Sequence, residues 1–173
     1  MAIPLMASAD EGGSLMLSQR ARYALKALIN LAHVAPGDPP RQISTIAADE
    51  RISRKFLEAI LANLKRARLV ESLRGQSGGY RLARPADEIT FGDIIRATDG
   101  PLALVPCVSK LFYRRCVDCH DEATCAIRYI MASVREGVSD ILDRTSLAQA
   151  VAFTQTPKRG NNADRPATAQ EVS

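Results

Sequence analysis

Four cysteines, Cys107, Cys116, Cys119 and Cys125, follow the spacing C-x8-C-x2-C-x5-C. Thiolates are soft anionic ligands, so four of them on one stretch of chain suit an iron-sulfur cluster or a tetrahedral zinc ion, and spacing alone does not separate the two. The surrounding stretch 101–124 has no apolar periodicity, and a long irregular segment inside a small protein usually needs a ligand to order it. Lys110, Arg114 and Arg115 stand among the cysteines, and Cys125 follows Thr124 at an expected helix N-terminus. Both the cations and the helix dipole favour thiolates and an anionic cluster. A cluster is therefore expected ahead of zinc, and zinc ahead of a thiol-disulfide switch. His120, between Cys119 and Asp121, is a substitute ligand of lower rank. Apart from the cysteines there is no asset for catalysis: His33 and His120 are scattered, and nucleophile, phosphate-loop and hydride motifs are absent, so an enzyme is not expected.

A second constellation is basic. Residues 51–84 hold Arg51, Arg54, Lys55, Lys65, Arg66, Arg68, Arg74, Arg81 and Arg84 against only Glu58 and Glu71, a local charge of +7 in a chain whose total is +4. So concentrated a patch points to a polyanion, and double-stranded DNA is the natural one. Ser53, Arg54, Lys55 and Glu58 fall at the start of an expected helix, where side chains reach base edges in a major groove. A carboxylate there is costly beside DNA unless it accepts a hydrogen bond, for instance from a cytosine amino group. Arg74 and Gly75 stand at the edge of a glycine-rich turn, which lets backbone approach DNA while the guanidinium enters a minor groove; Arg81 and Arg84 suit phosphates.

These residues need elements to hold them. Ser18 is a good N-cap for a helix carrying Ala21, Leu25, Leu28 and Ala32, which must end before Pro36. Ser44 is expected to cap a short helix with Ile46 and Ala47, and Ile52-Ser53 to open another whose Phe56, Leu57, Ile60, Leu61 and Leu64 form one stripe. That pair is a helix-turn-helix. Leu69–Arg74 and Tyr80–Arg84 bracket Gly75-Gln76-Ser77-Gly78-Gly79 as a hairpin wing. Thr90 with Asp93 forms a capping box, flanked by Ile89 and Ile94 as a hydrophobic staple, and Gly100 ends the helix they begin. The last helix, about Cys125 to Thr145, repeats Ile127, Met131, Val134, Val138 and Ile141 at steps of four and three, a seam suited to pairing with a second copy.

The fold expected is mainly α with a small β-hairpin wing: a winged helix-turn-helix domain plus a long C-terminal dimerisation helix. Residues 1–15 read as a disordered extension, with Met16 an alternative start, 16–100 as the DNA-binding domain, and 101–124 as the cysteine-rich loop. Residues 125–150 read as the dimerisation helix and its end, and 151–173 as a disordered tail. No run approaches the roughly 20 apolar residues that span a bilayer, and the N-terminus lacks a secretory pattern. A cytoplasmic protein with no membrane partner is expected.

Residues 17–150 resemble the Rrf-type family of bacterial winged-helix regulators, whose members include IscR, NsrR and RirA. The resemblance is carried by Leu17-Ser18 with Arg22-Tyr23-Ala24-Leu25, by Phe56-Leu57-Glu58, by Leu64-Lys65-Arg66-Ala67-Arg68-Leu69-Val70 and by Leu73 through Tyr80. It implies a homodimer through the long helix, recognition of a palindromic operator, and an iron-sulfur cluster held before that helix, with [2Fe-2S] expected ahead of [4Fe-4S] and zinc as the alternative. It implies that Glu58 discriminates sequence and that Arg74 is the minor-groove arginine. Cys119 and Cys125 match two of three usual cysteines. The third position is Tyr113 here, so Cys116 or Cys107 takes its place, and the non-cysteine ligand positions of some members hold Arg128 and Arg22. The function implied is a transcription regulator, repression being the expected sense, switched by iron, redox state or nitric oxide. The rivals are a zinc-stapled or thiol-switched regulator and one that acts by docking on a metabolic enzyme.

Overall fold

The computed structural model describes residues 17–155 except Pro36, Gln76 and Ser77. The extension expected at 1–15, the tip of the wing turn and everything past 155 lie outside the described residues. The elements run α1 (Gln19–Ala32), α2 (Ile43–Glu50), α3 (Arg54–Arg66), β1 (Val70–Leu73), β2 (Gly79–Leu82), α4 (Phe91–Thr98), a 3-10 turn at Pro106–Val108, α5 (Ala126–Arg144) and α6 (Leu147–Gln155).

Ser18 caps α1, its Oγ accepting from the Ala21 amide at 3.0 Å. The buried face of α1 (Ala24, Ala27, Leu28, Leu31) meets the stripe Leu57, Ile60, Leu61 and Leu64 of α3, and Ile46 of α2 closes the layer. Each such aliphatic side chain contributes about 1.5–3 kcal/mol by leaving water. Phe56 sits at the margin of that stripe, its ring edge-on to Tyr23 with centroids 5.8 Å apart.

The expected cap of α2 is corrected. Gln42, not Ser44, is its N-cap, without a side-chain cap bond, and Ser44 lies within the helix. What fixes α2 is a polar knot: buried Asn30 of α1 donates to Glu50 at 3.1 Å and to Asp49 at 3.3 Å, while Arg41 donates to the Asn30 side-chain oxygen at 2.7 Å. Arg51 then turns left-handed (φ 56°), and the Ile52 amide closes the turn onto Ala47 at 2.9 Å.

β1 and β2 pair antiparallel from Val70↔Leu82 to Leu73↔Gly79, a shorter ladder than the two runs expected. An unforeseen bridge braces it, since Arg41 and Tyr80 exchange backbone bonds of 2.9 and 2.8 Å. Gly79 is required there, because a Cβ would stand 2.4 Å from the Arg41 carbonyl oxygen. The Thr90–Asp93 capping box forms, with Ile89 and Ile94 fully buried beside it.

Residues 151–155, expected to begin a disordered tail, are helical as part of α6. Its first residue, Leu147, is buried completely in the core, and its amide donates to the Ile89 carbonyl at 2.8 Å. The chain thus returns to the winged domain after α5. In contrast, α5 buries no residue completely. Ile127, Ile130, Val134, Val138 and Ile141 form an exposed stripe, with Ile127 67% and Ile141 68% accessible. Met131, expected on that seam, is half-buried at its border.

Candidate nucleic-acid interface and cysteine centre

Ser53 caps α3 by accepting from the Phe56 amide at 3.4 Å, which leaves Arg54, Lys55 and Glu58 exposed on the first turns, opposite the buried stripe. Arg54 donates to Glu58 at 3.1 Å. Arg54 also lines a concave recess with Ser44 of α2 and with Ser72, Arg74 and Gly75 of the wing. The structure therefore joins the helix-turn-helix and wing residues on one surface. Gly75 has φ +111°, a left-handed value that a side chain would strain. Lys65 donates to Ser72 at 2.6 Å and braces the wing against α3.

Arg81 does not join this surface. Strand alternation places it with its ladder partner Glu71 on the other face of the hairpin, where the two form an ion pair. Ser44 and Ser72 are lining residues that sequence reasoning did not select. Alternation along β1 was the available signal for Ser72, which shares the opposite face from Glu71.

The cysteines occupy a different region. Cys107 is buried in the 3-10 turn, Cys116 and Cys119 lie on the irregular segment, and Cys125 is the N-cap residue of α5. The neighbouring Cys107 thiol, followed by burial, pushes the Cys116 thiol up. Burial pushes Cys119 up, with Cys125 adding to it and Arg115 opposing. Cys116 thus lies near Cys107, and Cys116, Cys119 and Cys125 influence one another.

The expectation that nearby cations would favour thiolates is corrected for Cys116 and Cys119. Arg115 donates to the Cys119 and His120 carbonyl oxygens, both at 3.1 Å, so much of its hydrogen-bonding capacity serves backbone. By donor chemistry four neighbouring thiols fit an iron-sulfur cluster. Among the described residues no group of three or more His, Cys, Asp or Glu side chains is gathered tightly enough to hold a single metal ion. Tyr113 and Arg128, at two of the three divergent positions, instead share Glu122: the Tyr113 hydroxyl donates to it at 2.6 Å, and the Arg128 Nε stands 3.9 Å away. The Glu122 bond holds the Tyr113 phenol protonated above its ordinary range.

The joint between the two regions is polar. Arg96 of α4 makes a two-pronged bond to Asp143 of α5, both contacts 2.7 Å. That bond holds the Asp143 carboxyl below its ordinary range and raises Arg96. Gly92 makes room for it, because a Cβ there would stand 1.9 Å from Asp143 Oδ1.

A family model described as Rrf2, "Iron-dependent Transcriptional regulator", matches residues 17–152, nearly the whole described chain. The chain belongs to the Rrf2 family. An rrf2-like HTH-type transcriptional regulator of Rhodobacter capsulatus is 40% identical over 139 residues, covering 79% of this chain and 93% of that protein. The HTH-type transcriptional regulator CymR of Bacillus subtilis is 34% identical over 81% of this chain and 92% of its own length. Among solved structures, CymR, the global cysteine regulator of B. subtilis, superposes with a TM-score of 0.67 at 32% identity, covering 82% of this chain and all of that one. T. potens IscR superposes at 0.64 with 28% identity, covering 84% and 94%. This Rrf2 member is accordingly a transcription regulator of winged-helix type, and its relatives carry the same DNA-binding class. No helix among the described residues is long and apolar enough to cross a membrane.

Proposed function

We propose that this chain acts as a homodimer on a palindromic operator, as a repressor whose affinity is gated by an iron-sulfur cluster on Cys107, Cys116, Cys119 and Cys125. The observation that carries the reading is that four free cysteines fall on the one segment that runs directly into α5, with Cys125 as that helix's N-cap residue. When bound, such a cluster supplies a centre sensitive to iron supply, redox state or nitric oxide, and [2Fe-2S] is the form favoured. The chain's own residues do the rest. Ligated, the cysteines would pin residues 107–125 against α5; released, they leave that segment to its own contacts, among them Tyr113–Glu122–Arg128 and the Arg115 bonds to Cys119 and His120. Arg96 and Asp143 transmit any movement of α5 to α4 and so to the winged domain. Ser53, Arg54, Lys55 and Glu58 meet base edges or their flanking phosphates, Arg74 and Gly75 meet the minor groove, and Arg81 is freed for phosphate only when Glu71 releases it. Paired half-sites about 34 Å apart tolerate little change in the spacing of two recognition helices.

A specific observation favours a second reading, the thiol switch. Cys107 and Cys116 are neighbours, so a peroxide can convert the pair to a disulfide, two thiols losing two electrons and two protons while the peroxide becomes two waters. CymR of Staphylococcus aureus has been solved in an oxidized form and superposes at a TM-score of 0.62. Anaerobic purification separates the readings. Bound iron with acid-labile sulfide, lost together in the Cys→Ala variants, supports the cluster. Colourless protein that loses two titratable thiols on peroxide treatment supports the switch, and stoichiometric zinc supports a metal staple.

A further inference from the structure

Between α4, residues 101–111 and α5 lies a small cavity that the cysteines do not line. Its wall includes Arg96, Lys110, Arg135 and Ser139. Three cations around one small space require an explanation: Lys110 reaches it from the surface and Arg96 is partly exposed, but the Arg135 guanidinium is mostly buried, and like charges brought together there repel unless an anion compensates them.

The compensation within the chain is incomplete. Asp143 takes both prongs of Arg96 and is also lowered by Lys110, so one carboxylate serves two cations. Arg135 is the least provided for. Its side chain is only 11% exposed, yet among the described residues its one ion-pair partner is its neighbour Glu136, 2.7 Å away and 66% exposed. The Arg135 Nε is inaccessible and donates to nothing. A buried guanidinium N–H without an acceptor is rare and points to a missing ion or water.

The size of the space bears on which. About 60 Å³ accommodates roughly four waters, or one anion of a few heavy atoms. Water would satisfy the Nε but would leave the excess of positive charge, whereas an anion meets both demands, and Ser139 offers a hydroxyl beside it.

We infer that this cavity binds a small anion, a carboxylate or an inorganic oxyanion, through Arg135 and Lys110 with Arg96 and Ser139 as flanking groups. The occupant touches α4 and α5 together, at the joint that sets the winged domain on the long helix. The inference stands on these four residues and is independent of what the cysteines hold.

The test uses the full chain, with sodium phosphate, sulfate and acetate each titrated against sodium chloride at matched ionic strength. Melting temperature and heats of binding are the readouts. At least one of the three raises the melting temperature saturably by about 3 °C or more, and chloride does not. R135Q and K110Q each weaken that anion at least tenfold, while R144Q, in an exposed pair with Asp140, leaves it unchanged. Should R135Q fold poorly, K110Q decides, since Lys110 is a surface residue. Insensitivity to all three anions, or equal binding by wild type and K110Q, overturns the inference.

Discussion

The Arg54–Glu58 contact is an exposed pair one helical turn apart, worth only about 0.3–0.5 kcal/mol, so DNA can separate the two side chains at little cost. E58A should therefore leave the urea midpoint nearly unchanged while altering preference at one base pair by about 1–3 kcal/mol, roughly tenfold or more, in competition binding. The exposure of these residues on the first turns of α3 was legible because a cap and a buried stripe leave them on the opposite side of the helix. Arg81 was not: its charge type suited phosphate, and only the cross-strand register with Glu71 reveals its partner. The thiols were half legible. Sequence located the cysteines and cations, but not that Arg115 is occupied by two carbonyl oxygens or that Cys107 neighbours Cys116.

The winged domain was readable element by element because its signals are local: Ser18 and Ser53 as caps, the Thr90–Asp93 box, the four-residue stripe of α3. The brace from Arg41 to Tyr80 is a single bridge with no periodicity to announce it. α6 was missed although Ser146 and Gln149 form a reciprocal cap, the Gln149 amide donating to Ser146 Oγ at 3.3 Å and the Ser146 amide to Gln149 Oε1 at 2.9 Å. The polar residues beyond 155 masked that S-x-x-Q signal. Since Leu147 is wholly buried, L147A should cost about 2–5 kcal/mol by urea denaturation, a large share of a typical 5–15 kcal/mol. The α4–α5 joint predicts a pH effect. The carboxyl of Asp143 is held below its ordinary value by Arg96, so its contribution is present above about pH 4 and fades as pH falls toward the lowered value. With 43% of that side chain exposed, solvent screens the effect. D143N should be less stable than wild type at neutral pH and should lose less on acidification between about pH 4 and 3, as followed by thermal melts.

The assembly follows from what the single chain leaves uncovered. The stripe Ile127, Ile130, Val134, Val138 and Ile141 is a contiguous apolar face on a nineteen-residue helix, and such faces on water-facing helices mark interfaces. Light scattering should give twice the 18.8 kDa chain mass for wild type and the single mass for I130E. The heptad spacing pointed to four of these five residues, Ile127, Val134, Val138 and Ile141; Ile130 is exposed beside them, and Met131 is half-buried at the border of the stripe. Direct evidence for gating comes from operator affinity, measured by anisotropy on anaerobically purified dimer before and after removal of bound iron, using a duplex the protein itself selects. An iron-sulfur-gated regulator shows a change of at least tenfold on iron removal, and each Cys→Ala variant that loses iron binds with the affinity of the stripped protein. Equal affinity in both states and in all four variants, or anaerobically purified protein that carries no iron or sulfide, would contradict it.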